Sequence, residues 1–263
     1  MKMPTNPDAG RRRFLALATD YDETLATDSM VSDATFAALE RLRASGRKLL
    51  LVTGRELTDV QRIFPRCDIF DKIVAENGAF LYTPATGKER PLGPAPSPDL
   101  VQRLREQGVK PLFVGRSVIS THEPHEVAAL ETIKELGLEL EIIFNKGSVM
   151  IVPSGINKAT GLAAALEEMG LSAENVVGIG DAENDHAFLA AVGYGVAVAN
   201  ALPKLKEAAD HVTRGSRSAG VVEFIDELIS QDAAIPDSAD PHAESGADSS
   251  EAPAYSARQS IAR

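Results

Sequence analysis

Short apolar runs that stop at polar residues constrain this chain more than any other feature. Phe14 to Thr19 (FLALAT), Lys48 to Thr53 (KLLLVT) and Val176 to Ile179 (VVGI) offer almost no alternation between apolar and polar positions. Runs of this kind suit strands covered on both faces, as in parallel sheets flanked by helices. The stretches between them carry helical spacing. Ser32 is placed to cap a helix whose apolar face is Phe36, Leu39 and Leu42, and Gly46 ends it. Leu57, Val60, Ile63 and Phe64 mark a second, shorter helix, and Ile73 to Ala75 a third strand.

The rhythm changes after this point. Residues 84–98 hold five prolines, Pro84, Pro91, Pro94, Pro96 and Pro98, and read as a connection. Beyond them, helices are expected over Asp99 to Gln107 and Pro124 to Leu136. Strands are expected over Leu112 to Ile119, Leu140 to Phe144 and Val149 to Val152. Asn145-Lys146-Gly147 marks antiparallel pairing. From Asn157 the first rhythm resumes, with helices over Lys158 to Met169, Asp185 to Ala191 and Pro203 to Ala208, a further strand over Gly195 to Val198, and Gly220 to Ile229 closing the fold. The expected fold is α/β: a doubly wound, mostly parallel, Rossmann-like sheet with a smaller α/β domain inserted. The boundaries follow as a flexible N-terminus over 1–12, a core over 13–81 and 153–230, an insert over 82–152 and a disordered acidic tail over 231–263.

Composition narrows the function classes. No apolar run approaches the roughly 20 residues of a membrane helix. Phe14 to Ala18 is too short for a signal-peptide core, so a cytoplasmic enzyme is expected. The single cysteine, Cys67, excludes an internal disulfide and a cysteine zinc cage. A formal charge of −11 argues against a nucleic-acid partner, which needs a basic face, yet permits a small phosphorylated metabolite held by a few local donors. Monomer and homodimer are both compatible with it.

Four motifs fall at strand ends or helix starts. Asp20-Tyr21-Asp22-Glu23-Thr24 follows the first strand, and a turn there can bring one side chain and a following carbonyl to the same hard cation. Thr53-Gly54-Arg55 ends the second strand and combines a hydroxyl, a backbone N–H and a guanidinium, a set suited to phosphate. Lys158 opens a helix, against the preference of that helix end for negative charge. Gly178-Ile179-Gly180-Asp181-Ala182-Glu183-Asn184-Asp185 follows a buried strand, where Asp181 and Asp185 can face one cation. Taken singly, the acids also suit solvated turns and helix caps, and Thr-Gly suits plain turn chemistry.

Together, and in this order, the motifs resemble those of the haloacid dehalogenase-like superfamily, in its Cof-like branch of phosphoglycolate and sugar-phosphate phosphatases, over roughly residues 14–229. The resemblance implies a magnesium-dependent phosphatase working through an aspartyl-phosphate. Asp20 matches the nucleophile, which is also a metal ligand, and Asp22 the general acid/base with its carbonyl on the metal. Thr53 matches the phosphoryl-binding hydroxyl, beside Gly54 and Arg55 as substrate-binding groups, and Lys158 the lysine between nucleophile and phosphate. Asp181 matches a metal ligand. Asn184 and Asp185 match groups completing the site, Asn184 taken toward substrate and Asp185 toward Mg2+. Glu76-Asn77-Gly78 resembles a segment preceding the cap, and the insert resembles the cap itself, with Arg116, His122, His125 and Asn145 as candidate contacts. Glu23 stands where the family usually carries glycine, and its carboxylate would oppose phosphate binding unless turned away. A sugar phosphomutase and a catalytically weak binding or regulatory module are the alternatives.

Overall fold

The computed structural model describes residues 14–233; the readings for residues 1–12 and for the tail beyond 233 lie outside the described residues. In chain order the strands are β1 (Ala16–Thr19), β2 (Lys48–Val52), β3 (Lys72–Ala75), β4 (Phe80–Thr83), β5 (Lys88–Pro91), β6 (Phe113–Val114), β7 (Ile119–His122), β8 (Leu140–Asn145), β9 (Ser148–Pro153), β10 (Val176–Gly180), β11 (Tyr194–Ala197) and β12 (His211–Val212). The helices are α1 (Asp33–Ala44), α2 (Leu57–Ile63), α3 (Pro98–Glu106), α4 (Glu126–Glu135), α5 (Lys158–Met169), α6 (His186–Ala190), α7 (Pro203–Ala208) and α8 (Ser218–Ala233).

The larger sheet has the order β12-β11-β10-β1-β2-β3-β4-β5 and is parallel from β12 through β3. β1 sits between β2 and β10, with Ala18 opposite both Leu50 and Gly178. The winding proceeds outward from β1 in one direction through β2 and β3, and from β10 in the other through β11 and β12. The strand order therefore reverses at β1/β10, and the loops leaving those strands part to open a crevice at their C-terminal ends. The apolar runs do what burial on both faces requires: Ala16, Leu17, Ala18, Leu50, Leu51, Val177 and Ile179 are fully buried.

The smaller sheet, β6-β7-β9-β8, is antiparallel throughout. Period-two alternation splits its side chains between two cores. Ile119 and Ile151 pack with Leu100 and Leu104 of α3 and Ala129 and Ile133 of α4. On the opposite face, Val118, Met150 and Val152 pack with Ala79 of the larger unit.

Two expectations need correction. Residues 84–98 are not only a connection, because β5 pairs antiparallel with β4 and extends the larger sheet. Its residues Lys-Glu-Arg-Pro are all exposed, and a charged edge strand carries no apolar signature. The run from Leu112 to Ile119 is not one strand. It breaks between β6 and β7, where the Glu76 carboxylate accepts the backbone N–H groups of Arg116 (3.1 Å), Ser117 (2.8 Å) and Val118 (3.2 Å). Those amides are thereby unavailable to a strand ladder.

Candidate active site

The site begins with α5. Asn157 caps it, accepting from Ala159 and Thr160 N–H while Thr160 Oγ1 accepts from the Asn157 N–H. The helix lies hard against the 76–78 turn: a Cβ on Gly161 would stand 2.5 Å from Gly78 Cα and 2.6 Å from Val74 Cγ1. This close packing drives Lys158, on the first turn, into the interior, where it is 1% exposed. Its ammonium donates to Asp20 Oδ1 at 2.5 Å and to Asp185 Oδ1 at 2.6 Å.

Asp20 is delivered by β1, its own N–H held by Ile179 O of β10 at 2.9 Å. Asp185 ends a single 3-10 turn, Glu183–Asp185, that feeds α6. Its second oxygen accepts from the Asp181 and Ala182 N–H groups at 2.9 and 3.0 Å, closing the loop after β10 on itself. Gly180 is required there, because a Cβ would meet the Asp185 carboxylate carbon at 2.6 Å. Asp181 accepts from Thr24 Oγ1 at 3.1 Å.

Asp20, Asp181 and Asp185 are all buried, and one ligand oxygen from each lies within 4.8 Å of the others. Burial, the largest cause, raises Asp20 well above the ordinary carboxylate value; Asp185 and Asp181 push the same way, and Lys158 only partly offsets them. Burial also raises Asp181, against the hydrogen bonds of Lys146 and Thr24. Burial alone would lower Lys158, but Asp185 and Asp20 more than reverse that and hold its pKa above the usual lysine value. Three hard oxygen donors crowded into a desolvated volume, with their charge incompletely compensated, fit a small oxygen-seeking dication such as magnesium.

The other candidate residues fall around this centre. Thr53 is fully buried at the end of β2, and its hydroxyl accepts from the Arg55 N–H at 3.1 Å. Gly54 lies under Met150 of β9, whose Cε would be 3.2 Å from an added Cβ. Arg55 forks onto Asp22, with Nε to Oδ2 and Nη2 to Oδ1 both at 2.7 Å, and also holds Asp59 and Ser29. The Asp22 carboxylate is thus held by a guanidinium rather than gathered with the other three acids. Asn184 donates to Asn77 Oδ1 at 2.9 Å, while Asn184 Oδ1 and Asn77 Nδ2 are buried without a partner among the described residues. Of the insert candidates, Arg116 pairs with Glu89 and lies over the Phe80 ring, and His125 bonds the Lys110 carbonyl.

The family comparison decides what this arrangement belongs to. The sequence matches the family model described as haloacid dehalogenase-like hydrolase over residues 17–135 and again over 118–225. The chain belongs to the haloacid dehalogenase-like hydrolases. It is therefore an enzyme. A phosphoglycolate phosphatase of Methanosarcina acetivorans is 30% identical over 224 residues, covering 83% of this chain and 98% of that protein. A haloacid dehalogenase-like hydrolase from Bacteroides thetaiotaomicron shares the fold with a TM-score of 0.72 at 21% identity, covering 82% of this chain and all of that one. A sugar phosphatase of subclass IIB in the same superfamily superposes with a TM-score of 0.68 at 20% identity, covering 81% and 98%.

Within this haloacid dehalogenase-like site, sequence reasoning passed over three groups. Thr24 stood in the first motif, but nothing marked its hydroxyl as a partner of Asp181. Asn200 donates to the Glu23 carbonyl at 2.9 Å and to Asp181 Oδ2 at 3.4 Å, and accepts from the Arg217 N–H at 2.6 Å. Lys146, at the β8–β9 turn, reaches Asp181 Oδ2. Asn200 belongs to no motif and Lys146 only to the Asn145-Lys146-Gly147 turn, and only tertiary packing brings the two to Asp181. No helix among the described residues is long and apolar enough to cross a membrane.

Proposed function

We propose that this hydrolase is a magnesium-dependent phosphatase that cleaves a small phosphomonoester, of the phosphoglycolate or sugar-phosphate class, through an aspartyl-phosphate on Asp20. The observation that carries the reading is the Lys158 ammonium shared by Asp20 and Asp185, with Asp181 beside them. The names of the phosphoglycolate phosphatase and sugar phosphatase relatives support the substrate class.

Asp20, Asp181 and Asp185, with the Asp22 carbonyl, would hold magnesium, which when bound neutralises phosphoryl oxygens. Asp20 attacks phosphorus in line as the bond to the leaving oxygen breaks. Phosphoryl transfer asks little nucleophilicity of a carboxylate, provided that position and charge are fixed. Lys158 serves both, since one short bond holds Asp20, the other ties the ammonium to Asp185, and its charge stands beside the attacking carboxylate. Thr53 and the Gly54 N–H receive the remaining oxygens. Asp22 gives its proton to the departing alkoxide, then takes one from the water that attacks the aspartyl-phosphate, releasing inorganic phosphate and restoring Asp20. For this, Arg55 must release one Asp22 oxygen. The part of the insert that follows β5 acts as a cap, and Met150 over Gly54 places apolar surface against bulk water.

The test is release of phosphate from p-nitrophenyl phosphate and a panel of phosphorylated metabolites, with magnesium and with chelator. Asp20→Asn is expected to remain folded and to lose turnover; undiminished activity in that variant ends the mechanism. Measuring free phosphate against isomerised sugar phosphate separates hydrolysis from mutase transfer.

A further inference from the structure

The turn joining β8 and β9 is the part of the insert that reaches the carboxylate cluster. Asn145 pairs with Ser148, leaving Lys146 and Gly147 as a two-residue tip with φ of 45° and 83°. Both values lie in the left-handed region that a tight hairpin turn of this hand requires. Lys146 adopts it although it carries a side chain. Its backbone N–H is fixed by Glu183 Oε2 at 3.1 Å, and the Gly147 carbonyl accepts from the Glu123 N–H at 3.0 Å. The tip is therefore held at both residues, and the ammonium is aimed at Asp181, a residue 1% exposed.

Charge around the site is otherwise committed. Lys158 is taken by Asp20 and Asp185, Arg55 by Asp22 and Asp59, and Arg217 by Glu23. Lys146 alone of these cations comes from the insert, and its side chain remains 35% exposed. An ammonium has three donors, and Asp181 occupies one. On the same hairpin, the apolar Met150 lies against Gly54, its Cε 3.2 Å from where a Cβ would stand.

We propose that Lys146 is a specificity residue that recognises a carboxylate on the leaving group, so that the preferred substrate is a phosphomonoester of a short hydroxy acid. The inference rests on the phosphatase reading for its site and adds what the insert reads. A carboxylate within one or two carbons of the ester oxygen would gain a charge-assisted hydrogen bond from Lys146, which a neutral alcohol cannot make. It would otherwise face a site already rich in acids.

The experiment uses the full chain and Lys146→Met, which keeps length and removes charge. kcat/KM is measured for 2-phosphoglycolate and for p-nitrophenyl phosphate, whose leaving group lacks a carboxylate. Lys146→Met is expected to lose about ten- to a hundredfold more on the first than on the second, as for one charged hydrogen bond. Lys146→Arg should recover part of the preference. Equal losses on both substrates, or no loss, overturn the proposal. Calorimetric binding of 3-phosphonopropionate against propylphosphonate reads the same preference without turnover. If neither substrate were hydrolysed but Lys146→Met abolished tighter binding of the carboxylated phosphonate, the phosphatase reading would fall and this one would stand. Turnover with no such preference would do the reverse.

Discussion

Glu23 turns its carboxylate onto Arg217, with Oε2 at 2.6 Å from Nε. The residue has φ of 60°, in the region where glycine is at ease, which accounts for the glycine usual at this place in the family. The extra negative charge is thus directed onto a guanidinium. Removing that partner in Arg217→Ala should raise KM for phosphorylated substrate by up to about fivefold, the upper range for a part-exposed pair. Adding Glu23→Gly to the same protein should restore KM. Steady-state kinetics of the single and double variants checks this, and an unrestored KM would mean that Arg217 itself meets substrate.

Lys158→Met removes the one cation between two buried carboxylates. Breaking a buried pair by deleting one partner costs about 3–5 kcal/mol, because the remaining charge keeps its desolvation penalty. Urea denaturation at neutral pH should show a loss of this size, together with lost turnover. A variant as stable as the parent would show that Asp20 and Asp185 take up protons at no cost.

Glu76→Ala frees the three N–H groups of residues 116–118 from their acceptor. Glu76 is 2% exposed, so water does not readily replace it, and a loss of at least about 2 kcal/mol is expected. Hydrogen exchange should accelerate first in the 115–118 turn. Uniform acceleration across the smaller sheet, with no excess at the turn, would refute a local anchor.

Glu168 accepts from Lys72 on β3 and Arg90 on β5. The hydrogen bonds of Lys72, then Arg90, hold its pKa at about 2, against an ordinary value of 4.5. A depressed acid binds fewer protons when folded, so its contribution is present above pH 4.5 and fades as pH falls toward 2. Glu168→Gln should be less stable than the parent at pH 6, and the gap should close through that window. Denaturation curves at pH 6, 4 and 3 report it, and a gap that stayed constant would exclude the linkage.

The parts of the site that lay open in the sequence are those whose physics is local. β1, β2 and β10 were readable because burial on both faces demands an unbroken apolar run. The hairpin at Asn145-Lys146-Gly147 was readable because a tight turn needs positive φ and glycine supplies it. β5 was not readable, since an exposed edge needs no apolar residue, and neither was the break between β6 and β7, since the group that causes it is Glu76, far back in the chain.

By itself the sequence determined which residues stand at the C-terminal ends of the buried strands: Asp20, Thr53 and Asp181, in the order of a doubly wound fold. Side-chain periodicity and turn chemistry act over a few residues, so the chain states them directly. Only the tertiary structure decided where the charges go. It seats Lys158 between Asp20 and Asp185, turns Glu23 away onto Arg217, and brings Lys146 from the insert to Asp181. Each of these pairs joins residues remote in sequence, and charge acts through space rather than along the chain.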